Sequence, residues 1–380
     1  MKNKQFKIRV LIVFVIATLL ISACAPAEAP VPPAATAVPT EAPVEETEEL
    51  TEAPTEEAAP TEEVGVAPID PPVDLKLAYV PIMKFATAYV AKERGIFEKY
   101  GLNVEMISVK SGTEAIAFLS EDKVDFGGVA IVVSLWNAWA QGMDLRIIAP
   151  GALEPFTDSP TIFLLRKDLF DSGEVTKVED LAGRVVAVAG GPGSGGEYLA
   201  AKALERGGLT IFDVQLVNIG NADMPMAFEN ESIDAGLLGS PYAEQVINSG
   251  TAVAFEKDIT PGLMTVAFVA SGKMINENPE VTNRFVLALM EAARLMQGDD
   301  YLSDENIAAY LAYINSTPED IKTGEPVIYD PNLTIELAGL ADVETVHRTN
   351  GRLAYTEPLD MAKVVDNQFV EWALANIEKN

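Results

Sequence analysis

The feature that most constrains the fold is a regular alternation of short apolar segments with helical patterns, which begins near Asp74. The segment "DLKLAYV" (Asp74–Val80) is typical of a β-strand, and a helical pattern runs from near Thr87 to Tyr100. The next segment, "LNVEMISV" (Leu102–Val109), is again strand-like, and the alternation continues to about residue 250. After the apolar segment "TVAFVASGKMI" the pattern is mostly helical. Such alternation predicts an α/β fold with largely parallel sheets.

The first 24 residues have the pattern of an export signal. Lysines and an arginine precede an apolar segment, Val10–Ala23, that is shorter than the roughly 18 apolar residues a membrane span needs. The segment ends in Ser22-Ala23-Cys24, and Cys24 is the only cysteine of the sequence. This ending resembles the lipobox of bacterial lipoproteins, which implies that Cys24 is acylated and becomes the mature N-terminus. An ordinary signal with a chance cysteine is the alternative.

Residues 25–73 have the composition of a disordered tether. They consist mainly of Pro, Ala, Thr and Glu, with 12 acidic residues and no basic or aromatic one. Such a segment buries too little surface to offset its ordering entropy. Of the net charge of −30, the part that remains for residues 74–380 is −22. A folded region this acidic is a poor partner for nucleic acid, so we exclude nucleic-acid binding.

Five motifs occur in an order that resembles one family. They are "AYVAKERGIFEKYGLNVEM" from Ala88, "VEDLAGRVVAVAGG" from Val178, "IDAGLLGSPYAEQVINSG" from Ile233, "NPEVTNRFVLALMEA" from Asn278 and "NGRLAYTEPLD" from Asn350. Together they resemble the nitrate, sulfonate and taurine branch of ABC-transporter substrate-binding proteins, which includes relatives that bind thiamine precursors. The resemblance covers most of residues 74–377.

The resemblance implies a periplasmic-binding-protein-like fold of type II, in which two α/β lobes joined by a two-strand hinge close on a solute. The first lobe is predicted to comprise residues 74–160 and 266–380, and the second lobe residues 161–265. The implied partners are a small solute and the permease and ATPase of an ABC importer. We expect a monomer outside the cytoplasmic membrane, anchored only by the lipid on Cys24, with no cofactor and no metal.

A glycine-rich segment, Gly191–Gly196, has the formal pattern GxGxxG and lies between a predicted strand and a predicted helix. A dinucleotide site would need an acidic residue at the end of the next strand, but "VQLVNIG" has none there. No lysine follows the glycines as in a phosphate-binding P-loop. Because a helix N-terminus attracts negative charge of any origin, we favour a solute-contacting loop here. A tight turn with only a structural role is the alternative.

Loops at the carboxyl ends of the strands are predicted to contact the solute, since ligands of open α/β sheets bind there. Phe85, Phe156 and Tyr242 are candidates to stack on a flat ring, as is Tyr198, although each could equally belong to a core. Lys84 could pair with an anionic group. The full predicted set is Lys84, Phe85, Ser111, Gly112, Gly128, Val129, Ala130, Phe156, Gly191, Gly193, Ser194, Ser240 and Tyr242.

Two departures from the family pattern make the predicted cleft less polar. Val129 and Ala130 stand where relatives often have small hydroxyl residues, and Ser240 stands where they often have glutamate. These residues favour a nitrogen heterocycle, such as a thiamine-pyrimidine precursor or a riboflavin-like compound. A sulfonate, taurine or nitrate anion is the alternative, and a sensor ectodomain is a further one.

An enzyme is the remaining alternative, because some relatives of this fold make the thiamine pyrimidine by consuming an active-site histidine. The sole histidine, His347, lies far in sequence from the predicted loops. We therefore expect no catalytic residues.

Overall fold

Ten strands form two five-stranded sheets in the computed structural model, which describes residues 65–239, 242–324 and 326–378. Cys24, the predicted signal and most of the predicted linker lie outside these residues, as does Ser240. The strands are β1 (Val73–Tyr79), β2 (Leu102–Ser108), β3 (Phe126–Ala130), β4 (Leu145–Pro150), β5 (Ile162–Arg166), β6 (Val185–Val188), β7 (Gln215–Asn218), β8 (Ala235–Leu238), β9 (Ala252–Glu256) and β10 (Val266–Ser271).

The two sheets share one topology. The first has the order β2-β1-β3-β10-β4, and the second has the order β7-β6-β8-β5-β9. Strands pair in parallel except around β10 in the first sheet and β5 in the second, which are antiparallel to both neighbours. Each of these two strands is the first strand after the chain crosses from the other sheet. We call the halves built on the first and second sheets the first and second lobes, and this architecture confirms the predicted α/β fold.

Helices alternate with the strands up to β9 and follow one another after β10, as the sequence pattern predicts. None of the helices in the described part of the chain is long and apolar enough to span a membrane. They are α1 (Ala86–Glu93), α2 (Ile96–Lys99), α3 (Gly112–Ser120), α4 (Val133–Ala140), α5 (Lys167–Asp171), α6 (Gly195–Glu205), α7 (Met224–Glu229), α8 (Tyr242–Ser249), α9 (Gly272–Asn276), α10 (Pro279–Arg294), α11 (Asp304–Leu311), α12 (Pro318–Thr323), α13 (Leu337–Thr349) and α14 (Gln368–Ile377).

Each lobe has its own apolar core. In the first lobe, Phe285 of α10 stacks on Phe126 of β3 with ring centroids 3.9 Å apart. In the second lobe, the side chains of β5 alternate between the two faces of the sheet, as the period of two along a strand requires. Phe163 belongs to one apolar cluster and Leu164 to the other. Both faces of the second sheet are therefore covered, which explains why its strands are almost entirely apolar.

The two chain crossings between the lobes pair with each other. Leu153 forms an antiparallel bridge with Met264. The amide of Glu154 donates to the carbonyl of Leu263 at 2.9 Å, and the amide of Gly262 donates to the carbonyl of Glu154 at 3.0 Å. The hinge thus consists of two hydrogen-bonded extended segments.

The predicted linker, residues 25–73, extends too far toward the C-terminus. Val66 and Ile69 pack against the core of the first lobe, and the first strand begins at Val73 rather than Asp74. The guanidinium of Arg284 donates to the carbonyl oxygen of Ala67 at 3.0 and 3.2 Å. Residues 65–73 therefore belong to the folded part, because Val66 and Ile69 pack against its core and Ala67 accepts from Arg284.

Candidate ligand-binding cleft

The loops at the strand ends of the two lobes touch each other. Val133 begins α4, just after β3 of the first lobe, and its amide donates to the carbonyl of Gly193 in the second lobe at 3.4 Å. A Cβ atom on Gly193 would lie 2.7 Å from Cγ2 of Val133. The carboxyl ends of β3 and β6 therefore lie on opposite sides of one cleft.

The glycine-rich loop follows β6 and leads into α6. Gly190, Gly191 and Gly193 have φ angles of 90°, 69° and 78°, a region that other residues rarely adopt. Ser194 is the N-cap of α6, because its hydroxyl accepts the amide of Glu197 at 3.1 Å. The same hydroxyl donates to the carbonyl of Ala189 at 3.0 Å, which closes the loop on itself.

The positive end of α6 already has an anionic partner within the chain. The Gly193 amide donates to the carboxylate of Glu197 at 3.3 Å, and Glu197 is fully buried. A carboxylate in the first turn of a helix is stabilised by the helix dipole. The spacing Ser194-x-x-Glu197 is that of a capping box, and this local pattern could have identified Glu197 from the sequence.

Arg352 of the first lobe neutralises Glu197 of the second. Its Nε lies 2.9 and 3.1 Å from the two carboxylate oxygens, and its terminal nitrogen lies 2.8 Å from one of them. Hydrogen bonding to Glu197 raises the pKa of Arg352. The two residues are 155 positions apart, so no sequence pattern could have paired them.

Further contacts join α6 to α13. The hydroxyl of Tyr198 donates to Asp342 at 2.7 Å, and the ammonium of Lys202 lies 3.3 Å from the same carboxylate. His347 of α13 is completely buried, with its ring centroid 6.1 Å from that of Tyr198. Burial lowers the pKa of His347 to about 4. Tyr198, a predicted candidate for stacking on a ring, is buried in this contact instead.

On the first-lobe side, Ser111 and Gly112 lie where the sequence predicts them, at the start of α3. The Ser111 hydroxyl accepts the amide of Glu114 at 3.3 Å and caps the helix. A Cβ on Gly112 would lie 2.9 Å from the amide nitrogen of Ala130, so these two predicted residues are adjacent. Near them, the hydroxyl of Thr113 donates to that of Ser134 at 3.1 Å. Ser134, which no sequence pattern indicated, thus adds a second hydroxyl beside that of Thr113.

Lys84 has a partner inside the protein. Its ammonium forms an ion pair with Glu154, a carboxylate that is only 4% exposed, and donates to the hydroxyl of Thr265 at 2.8 Å. Glu154 and Thr265 belong to the two hinge segments. The lysine predicted to meet an anionic solute therefore ties the loop after β1 to the hinge.

Phe85, predicted either to stack on a ligand or to pack in a core, packs in the core of the first lobe. Phe85 lies in a one-turn 3₁₀ helix, is buried, and packs edge-on against Phe268. A Cβ on Gly128 would lie 2.9 Å from the Phe85 ring, so Gly128 makes room for that ring. Val129 is likewise buried within β3.

The remaining predicted residues lie on the hinge or in the second lobe. Phe156 is 62% exposed and lies on the hinge, where its ring would contact a Cβ on Gly262. Tyr242 begins α8 and packs partly against the second-lobe core. A Cβ on Gly191 would lie 3.1 Å from the amide nitrogen of the Asn218 side chain, at the end of β7.

A cavity of about 550 Å³ opens at the carboxyl ends of β1 and β2. Its size lies in the range of small-molecule sites. Its walls come from the loop after β1, the end of β2 and the turn after α11, and consist of Pro81, Ile82, Met83, Ser108, Tyr313, Ile314, Asn315 and Ser316. The sequence analysis placed a site at these strand ends but missed the contribution of residues 313–316.

Comparisons with known proteins identify the family. The model of the NMT1-like family matches residues 70–314. A binding protein of Brucella abortus is 26% identical over 207 residues, which are 53% of this chain and 60% of the relative. A Bacillus subtilis protein named for binding aliphatic sulfonates is 28% identical over 75% of this chain and 84% of its own length. The riboflavin-binding protein RibY of Chloroflexus aurantiacus is 26% identical over 75% and 73%, respectively.

Solved structures share the fold. The aliphatic sulfonate-binding protein SsuA of Escherichia coli superposes with a TM-score of 0.61 at 18% identity, covering 78% of this chain and 92% of its own. The desulfurization enzyme DSZB superposes with a TM-score of 0.53 at 17% identity, covering 79% and 99%. These likenesses extend to the fold alone, since one is a binding protein and the other an enzyme. The chain spans about 60% of the length of the Brucella relative.

Proposed function

Because the chain belongs to the NMT1-like family, we propose that it captures a small organic solute between its two lobes and delivers it to an ABC importer. The observation that carries this proposal is the meeting of strand-end loops from both lobes at Val133 and Gly193, beside a hinge of two paired segments. Closure of two such lobes around a ligand is a common capture mechanism. The partners are then a membrane permease and its ATPase.

The proposed solute is a nitrogen heterocycle, such as a thiamine-pyrimidine precursor or a riboflavin-like compound. Both groups that would attract an anion have internal carboxylate partners: Lys84 pairs with Glu154, and the Gly193 amide donates to Glu197. An anionic solute would have to compete with these carboxylates, whereas a neutral ring would not. The cavity at β1 and β2 has the volume for such a ring, and it would form the first-lobe side of the site, since all its walls, including Tyr313, belong to that lobe. The name of RibY, a riboflavin-binding relative, agrees with this choice.

The alternative solute is a sulfonate, taurine or nitrate-type anion. It draws support from the Bacillus relative, which is named for binding aliphatic sulfonates. We assign no catalytic role to His347, because its ring is buried between α13 and α6 rather than open to the cleft.

We further propose an extracytoplasmic location, with residues 1–24 as an export signal and Cys24 as the lipid-bearing residue. Residues 25–64, with 11 acidic side chains and no basic one, would then be the tether between lipid and folded part. Cys24→Ala is expected to shift the protein from the membrane fraction to the soluble fraction. A variant that stays in the membrane fraction would contradict the lipid anchor.

The proposed capture is tested by a thermal-shift screen of the full chain in detergent with flavins, pyrimidines, sulfonates and nitrate. A solute at a hundred times its dissociation constant adds about 2.7 kcal/mol to the free energy of unfolding. We expect a shift with a flavin or a pyrimidine and none with nitrate. A shift with sulfonate alone would support the anionic alternative, and no shift with any compound would contradict the proposed ligand classes.

A further inference from the structure

Glu197 controls the conformation of the glycine-rich loop. Its carboxylate accepts the Gly193 amide, and its own amide donates to Ser194. One residue of α6 thus binds two consecutive residues at the helix end of the loop. Because Glu197 is fully buried, its charge must be compensated by a nearby cation or by several hydrogen bonds.

The compensating cation comes from the other lobe. The segment that carries Arg352 is fixed to the first lobe, since the Ala354 amide donates to the Asn137 side chain of α4 at 2.9 Å. Further along, the amide of Ile147 in β4 donates to the carbonyl of Val364 at 2.9 Å. Arg352 is therefore anchored to the first lobe, whereas Glu197 belongs to α6 of the second lobe.

Separation of these two residues would leave a buried carboxylate without its cation, which is strongly unfavourable. The carboxylate would then take up water, and its hydrogen bond to Gly193 would weaken. Opening of the lobes on this side and loosening of the loop are consequently parts of one event.

We infer that Arg352 is a positioning residue, which acts through Glu197 to keep the glycine-rich loop in its binding conformation only while the lobes are together. The inference rests on the proposed function in one respect, namely that the loop contacts the solute. The loop's dependence on Arg352 is a property of the solute-free protein and can be measured without a ligand.

The test is hydrogen exchange of the full chain in detergent, without solute, followed on a peptide that covers residues 189–196. Arg352→Gln and Glu197→Gln are each expected to speed amide exchange in this peptide at least tenfold. Arg352→Lys keeps the charge but cannot form the bidentate hydrogen bonds of a guanidinium, so an intermediate rate of amide exchange is expected.

The matched control is Arg348→Gln. Arg348 also pairs with a buried carboxylate, that of Glu344, but both lie on α13, so no contact between the lobes is lost. Exchange in residues 189–196 is expected to change less than twofold in this variant. Peptides from α10 and β1 report whether each variant remains folded.

Two results would overturn the inference. One is equal acceleration by Arg352→Gln and Arg348→Gln. The other is acceleration by Arg352→Gln that spreads evenly over β6, β7 and β8, which would mean general destabilisation of the second lobe. The exchange experiment contains no solute, so its result is independent of the solute screen. A screen in which no compound binds would contradict the proposed function and leave the exchange result valid.

Discussion

At the residue scale, Gly193 combines a backbone requirement with a contact between the lobes. Its φ is +78°, and a Cβ there would meet Val133 at 2.7 Å. We expect Gly193→Ala to weaken solute binding at least tenfold, because the added methyl pushes the strand-end loops apart. Calorimetric titration with the solute found in the screen measures this loss.

Gly208→Ala is the matched control for Gly193→Ala. Gly208 has a φ of +69° in the same lobe, but a Cβ there has open space around it. Both substitutions bear a similar backbone strain of about 1–2 kcal/mol. Only Gly193→Ala should alter the solute affinity, and equal effects of the two variants would remove Gly193 from the cleft.

His347 gives the protein a specific pH dependence. Burial lowers its pKa from 6.5 to about 4, and the charged groups that act on it are Glu197 of α6 and Arg352. The unfolded chain takes up this proton below pH 6.5, whereas the folded chain does so only below about pH 4. The stability contribution is therefore complete above pH 6.5 and is lost as the pH falls toward 4, by on the order of 3 kcal/mol.

His347→Leu is expected to remove that component. Neither ring nitrogen of His347 has a hydrogen-bond partner among the described residues, so an apolar side chain of similar size should be tolerated at pH 7. Urea unfolding at pH 7 and pH 4.5 should show a smaller loss of stability in the variant than in the native protein. An equal loss of stability in the variant and the native protein would show that His347 does not cause this pH dependence.

At the scale of elements, the hinge depends on the ion pair of Lys84 with Glu154. Lys84→Met leaves a buried carboxylate without its cation and should cost about 2 kcal/mol, less than a fully buried pair because the lysine is partly exposed. Adding Glu154→Gln should recover most of this loss. Urea unfolding measures both effects.

An exposed pair provides the comparison. Lys167 pairs with Asp171 one turn along α5, where both side chains are exposed, so Lys167→Met should cost less than about 0.5 kcal/mol. If Lys84→Met were no more costly than this variant, the pair would have no structural role in the hinge.

The elements themselves were largely predictable from the sequence, because periodicity is a local property. The strand predicted over Asp74–Val80 is displaced by a single residue, and Ser194 caps a helix where the pattern placed one. The role of Phe85 stayed open at the level of sequence, because a loop residue that turns into the core has the same local pattern as one that faces a ligand. The space that admits its ring comes from Gly128, more than 40 positions away.

At the scale of the whole molecule, the order of the five family motifs along the chain predicted the two-lobed architecture. It did not predict the contacts between the lobes. The pairs Arg352 with Glu197 and Lys84 with Glu154 join distant segments, and charged residues at such separations carry no pairing signal. These pairs change the interpretation of the cleft, because they occupy the groups on which the alternative of an anionic solute rested. The linker was predicted too long for a related reason: the packing of Val66 and Ile69 depends on a core that lies far away in the sequence.

The proposed capture requires that strand-end loops of both lobes hold one small solute. Hydrogen exchange of the full chain, with and without a saturating flavin or pyrimidine that binds in the screen, tests this claim most directly. Bound solute is expected to slow exchange together in the first-lobe loops, residues 81–84 and 108–112, and in the second-lobe loop, residues 190–195. Protection confined to one lobe, or to surfaces away from these loops, would contradict it.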